Sequence, residues 1–281
     1  MVNIGKINNL EVVKELDFGI YLNGEELGEI LLPRRYVPKD TKPGDKLDVF
    51  IYLDSEDRLI ATTEKPFAMV DEFALLRVVS VNDVGAFLDW GLMKDLLVPY
   101  SEQKMKMRPD HWYMVKVYLD KITKRIVASA KLDSFLDNLP PDYEFGQEVN
   151  IIVHTETDLG YKAIVNGLHW GMLYKNEVFQ DLEQGQRIKA FVKKIREDDK
   201  IDLCLHKPGY DKIKDISEQI LDYIKKNKGF LPITDKSSPE TIYGLFGVSK
   251  KAYKNAIGNL YRKKLIVLEE NGVRLAHVPN E

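Results

Sequence analysis

Apolar and polar residues alternate through most of residues 1–207, in segments of four to seven positions rich in Val, Ile, Leu, Phe and Tyr. Side chains of an extended strand point alternately to its two faces, so this period of two predicts half-buried antiparallel strands. The strand pattern itself repeats three times. Gly19 in Phe18-Gly19-Ile20-Tyr21-Leu22, Gly85 in Val84-Gly85-Ala86-Phe87-Leu88 and Gly160 in Leu159-Gly160-Tyr161-Lys162-Ala163 each anchor one copy. Fourteen residues beyond each glycine an apolar run ends, at Leu31-Leu32-Pro33, Leu97-Val98-Pro99 and Met172-Leu173-Tyr174. Thirty residues beyond it another strand begins, at Val49, Val115 and Ala190, and a turn leads to a last one over residues 58–62, 125–129 and 200–204. Turn chemistry separates the segments, as in Asn23-Gly24, Pro43-Gly44-Asp45 and Glu197-Asp198-Asp199.

A unit repeated at fixed internal spacing is one structural module per copy. Each copy reads as five short strands in about 65 residues, which as an open sheet would leave bare edges, so closure into a small barrel of the OB type is expected. The modules are predicted at 1–64, 65–139 with a short linker helix over 132–139, and 140–207. A small barrel bends its strands sharply, which gives the anchor glycine a backbone role. Ile20 and Leu22, or Ala86 and Leu88, should then point inward, leaving Tyr21 and Phe87 outside. An outward aromatic is either covered by the next module or a surface on which an unstacked base can lie.

After Pro208-Gly209 the period becomes helical, with Ile213, Ile216, Ile220, Leu221 and Ile224 on one face of a helix ending near Gly229. Ser238-Pro239-Glu240 has the capping residue and first-turn proline of a second helix. Gly247 turns the chain, Ser249 caps a third helix, and Tyr253, Ala256, Ile257 and Leu260 form its apolar stripe. Residues 265–268 and 273–275 read as a hairpin with its corner at Asn271-Gly272.

The 281 residues are 44% apolar and 30% charged, which excludes disorder as the main state. Cys204 is the single cysteine, so no intramolecular disulfide and no multi-thiolate metal site is possible. No apolar run of about 18 residues occurs and the first residues lack a signal-peptide pattern, so the expectation is a cytoplasmic protein without a membrane partner. His111, His154, His169, His206 and His277 are scattered outside any metal-protease or phosphate-loop spacing, so neither an enzyme nor a cofactor is expected. The net charge of −3 is unevenly spread: −5 over 1–64, +3 over 65–131, −5 over 132–207 and +4 over 208–281. A polyanionic partner would therefore be held by a local patch.

Gly85-Ala86-Phe87-Leu88, then Leu97-Val98-Pro99-Tyr100-Ser101-Glu102, then Val117-Tyr118-Leu119-Asp120 and Arg125-Ile126 resemble the S1 RNA-binding module, an OB barrel. The resemblance covers 1–207 as three copies. It implies RNA contacts just before the glycine, two residues after it and fourteen after it: Phe18, Tyr21 and Pro33; Val84, Phe87 and Pro99; Leu159, Lys162 and Tyr174. Pro33 and Pro99 stand where the family often has histidine, and Lys162 where it has an aromatic residue. Copy two joins Phe87 and Trp90 to the basic residues Lys104, Lys106, Arg108, Lys116 and Arg125, with Tyr118 between them, and is the expected main RNA site. Copies one and three are then spacers or docking surfaces, and Trp112 and Trp170 core or interface residues.

Residues 212–276 resemble a winged helix whose third helix offers Lys250, Lys251, Lys254, Asn255 and Arg262 off its apolar stripe. The fold class is thus multidomain and mainly β: three tandem five-stranded OB-fold (S1-type) barrels followed by an α+β winged-helix domain at 208–281. That order resembles the conserved virulence factor B family of RNA-binding regulators. The implied partner is single-stranded RNA, with DNA as a further possibility, and a monomer is expected. Two other functions stay open: a duplex-DNA transcription regulator led by the winged helix, and a protein-docking scaffold.

Overall fold

The structure is a computed structural model describing residues 1–178, 180–207 and 212–276, without the side chains of 212–215. The expected break at Pro208-Gly209, the Ile213 side chain and His277 lie outside the described residues. The chain divides into two compact units, Met1–Leu139 and Pro140–Glu281.

The first unit holds two barrels. Strands β1 (Ile7–Leu16), β2 (Gly19–Asn23), β3 (Glu29–Pro33), β4 (Lys46–Leu53) and β5 (Leu59–Thr62) form a closed barrel in the order β1-β2-β3-β5-β4. Its one parallel contact, Leu31 beside Ile60, joins β3 to β5. Alternation fills the interior as expected: Ile20, Leu22, Ile30 and Leu32 are fully buried. The second barrel consists of β6 (Phe73–Val81), β7 (Gly85–Asp89), β8 (Leu96–Pro99), β9 (Trp112–Leu119) and β10 (Ile126–Ser129). Its strands follow the same order, but β8 and β10 share no ladder. The seam is stitched otherwise. Ala130 N–H, just past β10, donates across the seam to the Glu102 carbonyl at 2.9 Å, and the buried Gln103 amide holds the loop after β8 in place by donating back to the Val98 carbonyl at 3.1 Å. Beyond β10 the expected linker helix is only a 3₁₀ turn, Leu132–Ser134. Leu132 and Leu136 are buried, and Asp137 takes a left-handed φ of 58°, which stops any helix ahead of Pro140-Pro141.

In the second unit β11 (Glu148–Thr157), β12 (Gly160–Val165), β13 (His169–Tyr174), β14 (Arg187–Ile195) and β15 (Ile201–Cys204) close a third barrel in the same order. The winged-helix segment follows with α1 (Lys212–Lys226), β16 (Phe230–Leu231), α2 (Pro239–Phe246), α3 (Lys250–Arg262), β17 (Ile266–Glu269) and β18 (Gly272–Leu275). The Ser238 hydroxyl accepts from Thr241 N–H and the Ser249 hydroxyl from Ala252 N–H, both at 3.2 Å, so each expected cap forms. Tyr253, Ala256, Ile257 and Leu260 are buried against Ile220, Ile224 and Ile242. Two details differ from the sequence reading. The hairpin corner is Glu270-Asn271, one residue early, and Gly272 already pairs with Glu269. Gly272 is needed there because β16 adds a third strand on that side, and a Cβ at 272 would lie 2.4 Å from the Leu231 carbonyl.

The fourteen-residue spacing has a direct structural meaning. Gly19 pairs with Pro33, Gly85 with Pro99 and Gly160 with Tyr174 across adjacent antiparallel strands. A Cβ on Gly19, Gly85 or Gly160 would lie 2.3, 2.2 or 2.0 Å from the carbonyl oxygen of Leu32, Val98 or Leu173, so only glycine permits the approach. In urea unfolding followed by tryptophan fluorescence, Gly85→Ala should destabilise the first unit by about 2–4 kcal/mol, combining the steric clash with the φ of 157°. Gly244→Ala, in α2 with open space around it, should stabilise by about 0.5–1 kcal/mol.

Candidate nucleic-acid interface

The paired glycine fixes which side chains share the outer face. In each barrel the first strand carries a register shift, between Val12 and Lys14, Val78 and Ser80, and Val153 and Thr155. A bulge of this kind twists its strand and re-aims the following side chains. It sets Lys14 opposite Tyr21, Ser80 opposite Phe87 and Thr155 opposite Lys162. The four outward positions are then Phe18, Tyr21, Leu31 and Pro33; Val84, Phe87, Leu97 and Pro99; and Leu159, Lys162, Met172 and Tyr174. In every barrel the first is exposed and the other three half-buried.

The first barrel presents the fullest aromatic set. Phe18 is 55% exposed, and its ring stands edge-on to Tyr21 with centroids 6.2 Å apart. The Lys14 ammonium lies 4.7 Å from the Tyr21 centroid and pairs with Glu29. Arg34 at the same end pairs with Glu15. Neither Lys14 nor Arg34 was singled out from sequence. The signal for Lys14 was available: adjacent valines, Val12-Val13 and Val78-Val79, break the alternation where the bulge lies.

The second barrel departs most from expectation. Phe87 does lie on the outer face, at the wall of a cleft of about 470 Å³ shared with Tyr52, Ser55 and Asp57 of the first barrel. Trp90, expected beside it as a second surface ring, is only 2% exposed. Its indole stands edge-on to Phe50 at 5.7 Å and donates to the Lys94 carbonyl, so it is part of the joint between the barrels. Lys116 is likewise buried, donating to the Asp71 carbonyl at 2.6 Å with its ammonium 4.4 Å from the Phe73 centroid. Burial lowers its pKa, and the group is removed from any phosphate path. Tyr118 leans on Phe135, and burial, then Glu102 and Asp120, raises its pKa. Arg125 pairs with Asp57 across the joint. Lys104, Lys106 and Arg108 are exposed on the loop after β8, with Lys104 3.5 Å from Asp133. Trp112, read from sequence as core or interface, is 57% exposed and sits opposite Arg77.

In the third barrel Tyr174 is half-buried. Its hydroxyl donates to Asp202 at 3.2 Å, while Arg196 binds the same carboxylate at 2.9 Å and lies 5.7 Å from the ring. Lys162 places its ammonium 3.6 Å from the Trp170 centroid. In the winged helix, α3 exposes Lys251, Lys254 and Arg262 while Lys250 is half-buried. Lys254 lies 3.5 Å from Asp235, and Arg262 turns back onto Gly258 and Asn259. Among the described residues no cluster of His, Cys, Asp and Glu could hold a metal ion, and no helix is long and apolar enough to cross a membrane.

Comparison with known proteins gives two domain matches: residues 4–64 match the S1 domain, and residues 218–275 the CvfB-like winged helix domain. The uncharacterized protein YitL of Bacillus subtilis is 30% identical over 280 residues, covering 95% of this chain and 92% of that protein. The chain belongs to the conserved virulence factor B family. The family protein of Staphylococcus epidermidis is 23% identical over 97% of this chain and 94% of its own length. A solved structure from Streptococcus pneumoniae, described as a multidomain protein with nucleic acid binding domains, is 24% identical, covers 97% of this chain and 98% of its own, and has a TM-score of 0.41. The S1 and winged-helix modules and the kinship with conserved virulence factor B support a nucleic-acid-binding regulatory protein.

The cleft of this conserved virulence factor B family member also contains Asp95, whose carboxyl is pushed above its usual range by burial and then by the Asp89 carboxylate. A raised folded-state pKa means that the folded chain holds this proton more tightly than the unfolded one, so stability is lost as pH rises through the interval between the two values. Asp95→Asn should therefore raise the melting temperature at neutral pH, and the gain should shrink as pH falls towards about 4. Paired thermal melts at the two pH values measure it.

Proposed function

We propose that this protein binds single-stranded RNA along the outer faces of its S1-type barrels and acts in post-transcriptional control of gene expression, without catalysing a reaction. The observation that supports this most directly is the pairing of the exposed Phe18 ring with the half-buried Tyr21 ring, the Lys14 ammonium held over the second. Successive bases of a flexible strand can stack on such rings, and a neighbouring cation meets the phosphate between them. The weight thus moves from the second barrel alone, where Trp90 and Lys116 are buried, to the first barrel together with Phe87. The exposed Lys251 and Lys254 of α3 add a second basic contact, and tethering makes that contact intramolecular once the first is made.

Fluorescence anisotropy with a labelled single-stranded RNA of about twelve nucleotides tests the reading, since one OB fold takes about 4–16. Phe18→Ala and Tyr21→Ala should each weaken binding by about 1–3 kcal/mol, the usual worth of one stacked base. Raising the salt should weaken the wild type with a linear log–log slope, as phosphates regain condensed ions. Full-strength binding by the Phe18→Ala/Phe87→Ala double variant would refute the stacking mechanism.

The exposed lysines of α3 also favour a second reading, in which the winged helix enters a duplex DNA groove. On that reading duplex DNA displaces the RNA, and Lys251→Ala with Lys254→Ala costs more affinity than Phe18→Ala.

A further inference from the structure

The cleft between the first two barrels is lined by both of them. Phe87, Leu97 and Met93 come from the second barrel, and Tyr52, Ser55 and Asp57 from the end of β4 and the turn that follows it. Its volume of about 470 Å³ falls in the range of small-ligand sites, roughly 300–1,000 Å³. We propose that this cleft is a composite pocket for a single nucleotide of the bound strand, the first barrel supplying one wall of the second barrel's site. The proposal rests on the single-stranded RNA reading above and adds to it a contribution that no isolated S1 module could make.

Three features carry it. The first is shape: the Phe87 ring and its apolar neighbours Met93 and Leu97 give a flat base a wall, while Ser55, Asp57, Asp95 and Arg125 supply polar groups around it. The second is rigidity. Lys94 donates to the Leu53 and Asp54 carbonyls at 2.9 and 2.7 Å, fastening the turn of the first barrel to the second. Within that turn the Asp54 carboxylate accepts from Glu56 N–H and the Arg58 guanidinium. A pre-formed pocket spares the ordering cost of closing around its ligand. The third is an exchangeable charge. Arg125 and Asp57 pair across the joint with side chains 53% and 44% exposed. A pair so open to water contributes little, so a nucleotide phosphate can take the place of Asp57 on the guanidinium at small cost.

The test uses the full chain and single-stranded RNA. Ser55 is exposed on the turn, and Ser55→Trp would fill the cleft from the side of the first barrel without touching Phe18 or Tyr21. Binding should weaken about tenfold or more, the loss expected for one excluded base. Wild-type affinity in Ser55→Trp would overturn the composite pocket while leaving the RNA reading intact. Failure of the wild type to bind would overturn both. Photocrosslinking of wild type to RNA carrying one 4-thiouridine decides the matter even if the variant folds poorly. Adducts on peptides bearing both Tyr52 and Met93 are expected, and adducts confined to the peptide of Phe18 would overturn the pocket.

Discussion

Each barrel depends on a methyl group that is missing. Where Gly19, Gly85 and Gly160 meet the next strand, a carbonyl oxygen sits at about the place a Cβ would occupy, 2.0–2.3 Å from it. The contact pins the register of the second and third strands, and a register once fixed decides the face of every side chain along both. The exposed ring of Phe18, the half-buried ring of Phe87 and the Tyr174 contact with Asp202 all follow from it. The glycine thus acts on function without touching a ligand: it aims the residues that do.

The second determinant is the joint within the first unit. Phe50 and Tyr52 of the first barrel belong to the same apolar cluster as Trp90, Leu88 and Val98 of the second. This shared burial of large rings joins the two barrels into one compact unit. The joint also uses polar contacts. Val70 N–H donates to the Gly5 carbonyl at 3.0 Å, and Lys6 donates to the Val70 carbonyl. Lysines that a charge count would assign to a nucleic-acid patch are here occupied with backbone oxygens.

That substitution explains what could be read from the sequence and what could not. The architecture was legible because it rests on period, spacing and turn chemistry, which are local properties. The fourteen-residue interval is the cross-strand pairing itself, and Ser238 and Ser249 cap the helices expected of them. The site was less legible because exposure is a property of neighbours. Trp90 lies an odd number of residues from Phe87, so the strand turns it to the other side, and there it meets Phe50, which nothing in the second repeat announces. Lys116 points away from its barrel as the alternation requires, but the segment carrying Asp71 covers that side. Net charge misled in both directions: the positive second segment has Lys94 and Lys116 bound to carbonyls and Arg125 bound to Asp57, while the acidic first segment contains Lys14 over Tyr21. Trp112 shows the converse, a ring read as core or interface that is more than half exposed.

The seam between β8 and β10 sets the second barrel apart from the other two. Where its counterparts are rings completed by main-chain pairing, this one is a bracelet fastened by a backbone bond from Ala130 to Glu102, on a loop that Gln103 ties back to β8. Opening a seam that has no ladder gives up fewer main-chain bonds than opening its counterparts, so local opening of this module is expected to start there. The seam runs along β8, the strand that also carries Leu97 and Pro99 on the outer face. One ribbon of chain therefore carries both the glycine contact that fixes the register and the edge that lacks a strand partner.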